Sequence, residues 1–468
     1  MSDSCQRAGR LAILVAVSLA ACVPRDAGYR SATARVGYDV HWRRIDGEGA
    51  AAKRTRELLS QPLTAESAVQ IALLNNQRLQ AVFEELGAAR GRLVSALALP
   101  NPELEAALKF HLERDESPDL EFGAMTSLSR LFLLPLRNSA ESAALDAARL
   151  GVAGAALDVV LEARTAYYRH QAAEQIVELR KTVLDATRAS YEAAKRLHAA
   201  GNVTDLQLAN EQALYEDSRL LASQAEESLA VARQRLNAVM GLWGTSAAWR
   251  SAGRLPEPES RTPDLESLER RALEASLDLA IAKRRFASAA STKNVAAFES
   301  FVPELRGGVA AEREEGDWRL GPKVSLELPL FYQGQGRVAS AESEMERQKR
   351  LHADIAINVR AQAQASAQRL RTLGERAGFY KSVLLPLRQR VVDQTQLEFN
   401  AMAVGVFQLL QAKRDQIETA RAYVETVRDY WIARAEVEQL RAGRMLKPET
   451  SAERVDAGPA AGSADFAH

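Results

Sequence analysis

Apolar residues recur every three or four positions over most of this chain, which is the spacing of one helix face. The first such stretch begins behind a helix-capping signal at Thr64 and continues to Leu99, where a Pro-Asn-Pro sequence ends it. Two longer stretches without proline follow, over residues 138–197 and 203–240. At about 1.5 Å of rise per residue, the first of these predicts a helix about 90 Å long.

Between the first helical stretch and the second, the spacing of apolar residues changes from every three or four positions to every second position. Apolar and charged side chains alternate over residues 103–112, which predicts a strand with two chemically different faces. A polar turn at 114–118 leads into a second alternating segment at 120–128, and Pro135 is predicted to end this hairpin. Each strand is about ten residues long, which suffices to cross a bilayer as a tilted β-strand.

The same order of elements occurs twice along the chain: a helix, a hairpin and two long helices. Gly405 repeats Gly201, for example, roughly 200 residues further on. A second alternating hairpin is predicted over 305–330. The chain is therefore predicted to hold two repeats and a proline-rich connector between them: 63–241, 264–442 and 242–263.

Both ends of the chain differ from the repeats. Residues 1–21 carry Arg7 and Arg10, then a short apolar stretch and small residues, which is the pattern of an export signal. Residues 22–62 have no sustained period and are predicted to form an extended tether. Residues 443–468, rich in Ala, Gly, Ser and Glu, are predicted to be disordered.

Composition and charge argue against several function classes. Lys plus Arg and Asp plus Glu are each 61, so the net charge of zero gives no basic field for nucleic acid. The two cysteines, Cys5 and Cys22, offer no disulfide framework, and the six histidines show no metal-ligand spacing. Without a phosphate loop, a nucleophile motif or an isolated carboxylate pair, the sequence predicts no enzyme, no cofactor and no metal site.

The strand pattern implies a pore shared between copies of the chain. Four strands with one apolar and one charged face cannot close a barrel alone, and open strand edges are not tolerated in lipid. In a shared barrel the charged faces line a watery lumen, which the long helices continue as a coiled-coil wall. Lumen positions are predicted for Glu103, Glu105, Lys109 and Lys323. Membrane-interface positions are predicted for Trp318, Phe331 and Tyr332.

Four motifs in this order resemble the TolC-type outer-membrane efflux family. They are Leu63-Thr64-Ala65-Glu66-Ser67-Ala68, Leu99-Pro100-Asn101-Pro102, Leu326-Glu327-Leu328-Pro329-Leu330-Phe331 and Val404-Gly405-Val406. The resemblance implies a mainly α fold with a small membrane β part, assembled as a homotrimer whose twelve-stranded β-barrel is continued by an α-barrel. It also implies passive conduction of substrates handed over by a periplasmic adaptor protein and an inner-membrane pump.

The end of the export signal resembles a bacterial lipobox, in the string Leu19-Ala20-Ala21-Cys22. That resemblance implies that Cys22 is lipidated and becomes the first mature residue. Val23 follows it, where an Asp would favour retention in the inner membrane. The implied location is the outer membrane, with a lipid anchor and with the helical part in the periplasm.

The resemblance also assigns a role to the two turns between long helices, which in the family lie at the periplasmic tip, where the adaptor docks and the tunnel closes. Contact positions are implied for Arg196, Leu197, Gly201, Val203, Asp205, Val404, Gly405 and Val406. Better-known members carry carboxylates just before the position of Ala412, whereas this chain has glutamines. The candidate gate residues are therefore Gln408, Gln411 and Asp205, the last of which could also be an ordinary first-turn aspartate.

Two other function classes fit part of the pattern. A periplasmic adaptor lipoprotein also has a long helical hairpin, but it needs flanking β-domains rich in Gly and Val. A coiled-coil scaffold that does not transport has no use for strands of bilayer length. The segments 399–402 and 409–412 are similar to members associated with heavy-metal or copper resistance, and the sequence goes no further toward a substrate.

Overall fold

The computed structural model describes residues 26–109, 119–259, 265, 267–302, 304–314, 317–327 and 330–447. The predicted signal at 1–21, the lipobox and Cys22 lie outside these residues, as does the predicted tail beyond 447. Their assignments therefore stay predictions.

The elements follow the order predicted from the sequence, and they are numbered here along the chain. The helices are α1 Tyr29–Thr33, α2 Arg43–Asp46, α3 Glu48–Leu59, α4 Ala65–Asn75, α5 Gln77–Leu97, α6 Ser129–Ala199, α7 Asp205–Met240, α8 Leu268–Ala275, α9 Leu277–Phe301, α10 Gln335–Phe379, α11 Leu385–Asn400 and α12 Val406–Arg441. The strands are β1 Glu103–Lys109, β2 Asp119–Ser127, β3 Leu305–Glu314 and β4 Asp317–Leu326. One π-helical turn, Tyr380–Leu384, joins α10 to α11.

The long helices form two antiparallel pairs that pack side by side. Helix α6 pairs with α7, α12 pairs with α10 and α11, and the two pairs meet where α12 packs against α6. The buried seams consist largely of small residues such as Ala163 and Ala433, which let helix axes approach closely. We call this layer of long helices the wall. Across it the order is α7, α6, α12 and then α10 with α11, so that α7 and α10–α11 lie at its two edges.

Two helix boundaries differ from the prediction. Pro135 does not end the first hairpin, because α6 begins at Ser129 and runs through it. A proline this close to a helix start removes only one backbone bond, the one to the carbonyl of Leu131. The helix predicted to run unbroken to Leu99 is interrupted at Asn76, whose extended backbone starts α5 and whose Oδ1 accepts from Leu79 N–H at 3.2 Å.

The predicted tether is helical from Tyr29 onward and packs onto the first repeat. Tyr29, Trp42 and Phe83 are almost completely buried, with the Trp42 and Phe83 rings stacked at 5.5 Å between centroids. Helices of one to three turns are too short to show a sustained period, which is why the sequence pattern gave no sign of them. The prediction of an extended conformation was therefore wrong for 29–59.

The first residues of the predicted disordered tail are also ordered. Arg444 donates to both carboxylate oxygens of Asp158 on α6, at 3.0 and 2.8 Å, and to Asp278 on α9. The backbone N–H of Met445 donates to Asp278 at 2.8 Å. Residues 443–447 thus form a clip that ties the end of the second repeat to the first, so the prediction of disorder was wrong for them.

The strands form one antiparallel sheet in the order β1-β2-β3-β4. The register aligns Glu103, Met125, Gly308 and Lys323 across all four strands, so the side chains of Glu103, Met125 and Lys323 share one face. Because β2 pairs with β3, the two hairpins are continuous, and each repeat contributes half of the sheet. The predicted mainly α fold with a small β part is confirmed, as is the duplicated order.

Candidate functional site

One face of the sheet carries charged residues of all four strands, and several of them pair with one another. Arg313 is an exception, because the register places it on the opposite face, between Leu120 and Trp318. Lys109 Nζ lies 3.0 Å from Glu121, and Lys323 Nζ lies 2.9 Å from Glu105 and 3.5 Å from Glu121. Arg306 binds Glu103 across the hairpins. The four predicted lumen residues, Glu103, Glu105, Lys109 and Lys323, therefore all lie on this face, which we call the charged face.

The opposite face of the sheet is apolar and largely exposed in the single chain. Its large side chains are Leu104, Leu108, Leu120, Phe122, Val309, Trp318, Leu320 and Val324. Leu104 is 83% exposed and Leu320 is 78% exposed. The rings of Phe122 and Trp318 stack with their centroids 6.1 Å apart. A sheet with one apolar solvent-facing side and unpaired edges at β1 and β4 needs another surface to cover it.

Exposed aromatic residues surround the base of the sheet, where its strands meet the helices. Phe331, 97% exposed, and Tyr332 are found here, as predicted for one membrane interface. Phe132 and Phe301 are also exposed at this level, and the sequence interpretation missed them. In the sequence, both lie within five residues of a strand end. That proximity could have marked them as aromatic residues near the membrane interface.

The first helix-to-helix turn is closed by backbone caps and one hydrogen bond between side chains. Gly201 has a left-handed φ of 77°, and Asn202 N–H donates to Leu197 O at 2.9 Å. Helix α7 then starts with a capping box between Thr204 and Gln207. His198 Nε2 lies 2.7 Å from Asp205 Oδ1, linking the end of α6 to the start of α7, a contact the sequence spacing did not reveal.

The second turn has the same geometry in a register different from the predicted one. Met402 has a left-handed φ of 59°, and Ala403 N–H donates to Glu398 O at 2.9 Å. Met402 therefore corresponds to Gly201. Gly405 corresponds to Thr204, the residue before the next helix, and Val406 corresponds to Asp205. The predicted equivalence of Gly405 with Gly201 was wrong, because the two glycines serve opposite ends of the turn.

In the second turn, both candidate gate glutamines form hydrogen bonds within their own helix or with the residue before it. Gln408 Oε1 accepts from Gly405 N–H at 2.9 Å and so caps α12, as Gln207 caps α7. Gln411 Nε2 donates to Asp415 Oδ1 at 2.8 Å, and Asp415 also accepts from Arg388 at 3.2 Å. Asp205 also has a partner, His198, although its side chain is 97% exposed. Of the three candidates, Asp205 is the one whose carboxylate projects from the tip into solvent.

A shallow groove runs between α7 and α12 behind the two turns. It is lined by Asn210, Leu214, Phe407, Gln408, Leu410, Gln411 and Arg414. The predicted contact residues of both turns, among them Arg196, Leu197 and Gly405, are exposed around it. The tip thus offers mixed polar and apolar surface on both repeats, joined by this groove.

The edge formed by α10 and α11 carries a row of exposed apolar side chains. Phe379, Val383, Leu387 and Val391 follow one another at intervals of four residues, and each is at least 40% exposed. The π-helical turn lies within this row. We call these four residues the edge stripe. At the other edge of the wall, Leu206, Leu220 and Val231 of α7 are exposed.

Two classes of feature are missing from the described part of the chain. None of its helices is long and apolar enough to cross a membrane. Nor do its residues bring together three or more His, Cys, Asp or Glu side chains in a way that could hold a metal ion.

Comparison with known proteins identifies relatives of this architecture. No protein-family model matches the chain. The cobalt-zinc-cadmium resistance protein CzcC of Cupriavidus metallidurans is 23% identical over 374 residues, which cover 78% of this chain and 86% of CzcC.

Among solved structures, the CmeC outer-membrane channel of Campylobacter jejuni superposes with a TM-score of 0.70 at 14% identity, covering 84% of this chain and 88% of CmeC. The outer-membrane protein VceC of Vibrio cholerae gives 0.67 at 16% identity, covering 82% and 97%. The chain has the fold of these outer-membrane channels. The fold that the resemblance to the TolC-type outer-membrane efflux family implied is confirmed.

Proposed function

We propose that this protein is the outer-membrane channel component of a tripartite efflux system, conducting substrates passively from the periplasm to the exterior. The observation that carries the proposal is the sheet, whose charged and apolar faces are segregated except at Arg313 and which leads directly into long paired helices. Such a sheet suits a barrel with lipid outside and water inside. The fold shared with CmeC and VceC supports the same function.

The functional unit is a homotrimer in which three sheets join edge to edge. Four strands per chain give twelve in one barrel, with β4 of one copy beside β1 of the next. The walls of the three copies also join edge to edge. Their free edges, α7 and the edge stripe, both expose apolar side chains that a neighbouring copy can cover. Each copy thus covers surface that would otherwise remain exposed to water or lipid.

In this assembly the predicted residues take up defined positions. The charged face, including Glu103, Glu105, Lys109 and Lys323, lines the lumen. Trp318 lies toward the outer membrane surface, and Phe331 and Tyr332 lie toward the periplasmic one. Cys22, when lipidated, anchors each copy in the outer membrane. The two turns with Arg196, Gly201, Val203, Asp205, Val404, Gly405 and Val406 meet the adaptor, which in turn binds the inner-membrane pump.

For the cargo we propose divalent transition-metal cations. The support is the similarity to CzcC, which is named for cobalt, zinc and cadmium resistance. Deleting the gene should lower the zinc, cobalt or cadmium concentration that the host tolerates, and a plasmid copy should restore it. Unchanged metal tolerance together with lost tolerance to organic compounds would assign the channel to a drug pump instead.

The first test of the channel itself is single-channel conductance of the purified, lipidated protein in planar bilayers, together with its mass in detergent. A trimer-sized particle that gives steady conductance supports the proposal. A monomer with intact helices and no conductance would contradict the shared barrel. It would favour the adaptor or scaffold alternatives, neither of which the sheet geometry supports.

The edge stripe provides a prediction about assembly. Replacing Leu387 with Asp should weaken the trimer, because a charge would be buried where an apolar side chain is expected to meet α7 of the next copy. We expect at least about a tenfold rise in the dissociation constant of the trimer, equivalent to about 1.4 kcal/mol, measured by analytical ultracentrifugation in detergent.

The matched control for this prediction is Ser382→Asp. Ser382 is exposed on the same stretch of chain but lies outside the stripe. If both substitutions weaken the trimer equally, the stripe is not the subunit contact.

A further inference from the structure

The connector between the repeats is fastened to the helices beneath it by its backbone. Leu63 N–H donates to Arg250 O at 2.7 Å, and Ala252 N–H donates to Leu63 O at 2.8 Å, forming a short parallel bridge. From α6, the side chain of Gln171 donates to Ala252 O at 2.9 Å, and the hydroxyl of Tyr167 donates to Leu63 O at 2.9 Å. Carbonyl oxygens of the connector are thus satisfied by groups outside it.

The same segment also contacts the other three long helical elements. On α7, Arg233 donates to Trp249 O at 2.7 Å and lies 4.3 Å above the Trp249 ring. On α12, Trp431 Nε1 donates to Pro256 O at 2.7 Å, and in the π-helical turn Lys381 binds Glu257 at 2.6 Å. Residues 249–257, here called the clasp, therefore cross all four members of the wall.

A completely buried histidine lies beneath the clasp. His170 on α6 has no exposed surface, and its ring centroid is 4.9 Å from that of Trp249. Neither of its ring nitrogens has a hydrogen-bond partner. Glu174 Oε2 is 3.8 Å from Nδ1, but Glu174 also accepts a hydrogen bond from the Ser251 hydroxyl of the clasp. A neutral imidazole fits this apolar site, whereas an imidazolium would have two N–H donors and no acceptor among the described residues within hydrogen-bond distance.

The charged groups around His170 act in opposite directions. Burial is the largest effect and lowers the pKa of His170, Glu174 on its own helix raises it, and Arg233 on α7 lowers it. In the clasp, Arg250 is exposed and Arg254 is paired with Glu178. The net result is a lowered pKa of His170 in the docked state, so docking favours its neutral form.

We propose that the clasp is a pH-responsive fastener on the long helices, with His170 as the group whose protonation releases it. The undocked state exposes His170 to water and gives it an ordinary pKa of about 6.5, so protons bind the undocked state more tightly. Docking is fully stabilised above that value and weakens as the pH falls below it. The loss levels off once the pH passes below the lowered pKa of the docked state.

The proposal fits the position of the clasp across the long helices. All four members of the wall lead from the clasp to the two turns at the tip, so releasing it frees the helices that carry the tip. Protonation also offers Glu174 a new partner in His170, which competes with the Ser251 hydroxyl and removes one more bond from the clasp.

Hydrogen exchange of the full-length protein in detergent tests the proposal. We expect the amide of Ala252, corrected for its intrinsic rate, to lose protection between about pH 7.5 and about pH 5, by at most about thirtyfold because the undocked pKa is about 6.5. Replacing His170 with Phe should keep the clasp protected at both values. Glu174→Gln should move the midpoint of the loss to lower pH, which a merely structural contact would not do.

The control is His352→Gln on α10, far along the chain from the clasp, which should retain the wild-type pH profile. Protection in the wild type that does not change with pH overturns the proposal, and this result is independent of whether any variant folds. An unaltered pH profile in a folded His170→Phe variant overturns it as well, since another group would then be responsible.

Discussion

Replacing Gly308 with Ala will abolish channel formation. Gly308 lies in β3 opposite Met125, and a Cβ atom there would come within 1.9 Å of the carbonyl oxygen of Ala124 on β2. Neither atom is at the end of a flexible side chain, so the strands must separate. Overpacking in protein interiors commonly costs about 1–3 kcal/mol, and a clash with backbone lies at or above that range. Because β2 and β3 join the two hairpins, the sheet would split into halves.

The measurement is the number of conducting insertions per amount of protein in planar bilayers, together with the trimer fraction in detergent. Gly321→Ala is a matched control, because Gly321 lies in the neighbouring strand of the same sheet and a Cβ there meets no atom within 4 Å. We expect the control to conduct like the wild type. Normal conductance in Gly308→Ala would mean that the β2–β3 pairing is not needed for the pore.

The second large effect is expected at the C-terminal clip, in the variant Arg444→Ala. Arg444 is 19% exposed and binds Asp158, which is 7% exposed, as well as Asp278. Removing the guanidinium leaves two carboxylates with little solvent, although Asp158 keeps Lys447 at 2.9 Å and the Gln439 amide at 3.4 Å. Breaking a buried ion pair on one side costs about 3 kcal/mol or somewhat more.

Thermal unfolding followed by circular dichroism is the measurement for the clip variant. Arg441→Ala is the matched control, because Arg441 is exposed at the end of α12, three residues earlier. If the two variants unfold at the same temperature, the clip adds nothing to stability, and the contact between the repeats at Asp158 is incidental.

The parts of the fold that the sequence predicted are those with long, simple periods. The helical spacing of α6 and the two-residue alternation of β1 each extend over enough residues to be recognised, and the register of the sheet then places Glu105 and Lys323 on one face. Two repeats in the same order strengthened both predictions. Local regularity was sufficient because each of these elements has one continuous apolar face, which is buried on α6 and exposed in the single chain on β1.

The features that the sequence did not predict depend on contacts between distant segments. The short helices around Trp42 are held by Phe83, and Arg444 is held by Asp158, 286 residues away. The tip register was misjudged because a left-handed residue was expected to be glycine, whereas the second turn uses Met402. His170 gave no signal because nothing in its local sequence indicates that Trp249 covers it.

The paired charges on the sheet have a consequence for ion flow in the proposed channel. On the described strands, Lys109 and Lys323 lie within about 4 Å of carboxylates, much less than the Debye length of about 10 Å in dilute salt. An ion passing along such a wall meets a layer of small dipoles, whose potential decays faster with distance than that of a fixed net charge. Among the strand side chains that the structure describes, five carboxylates nevertheless share this face with four cations: Glu103, Glu105, Glu121, Glu312 and Asp317 against Lys109, Arg306, Arg319 and Lys323. The wall should therefore select ions by sign only modestly and in favour of cations, and the permeability ratio of K⁺ to Cl⁻ should lie somewhat above the ratio of their mobilities in free solution.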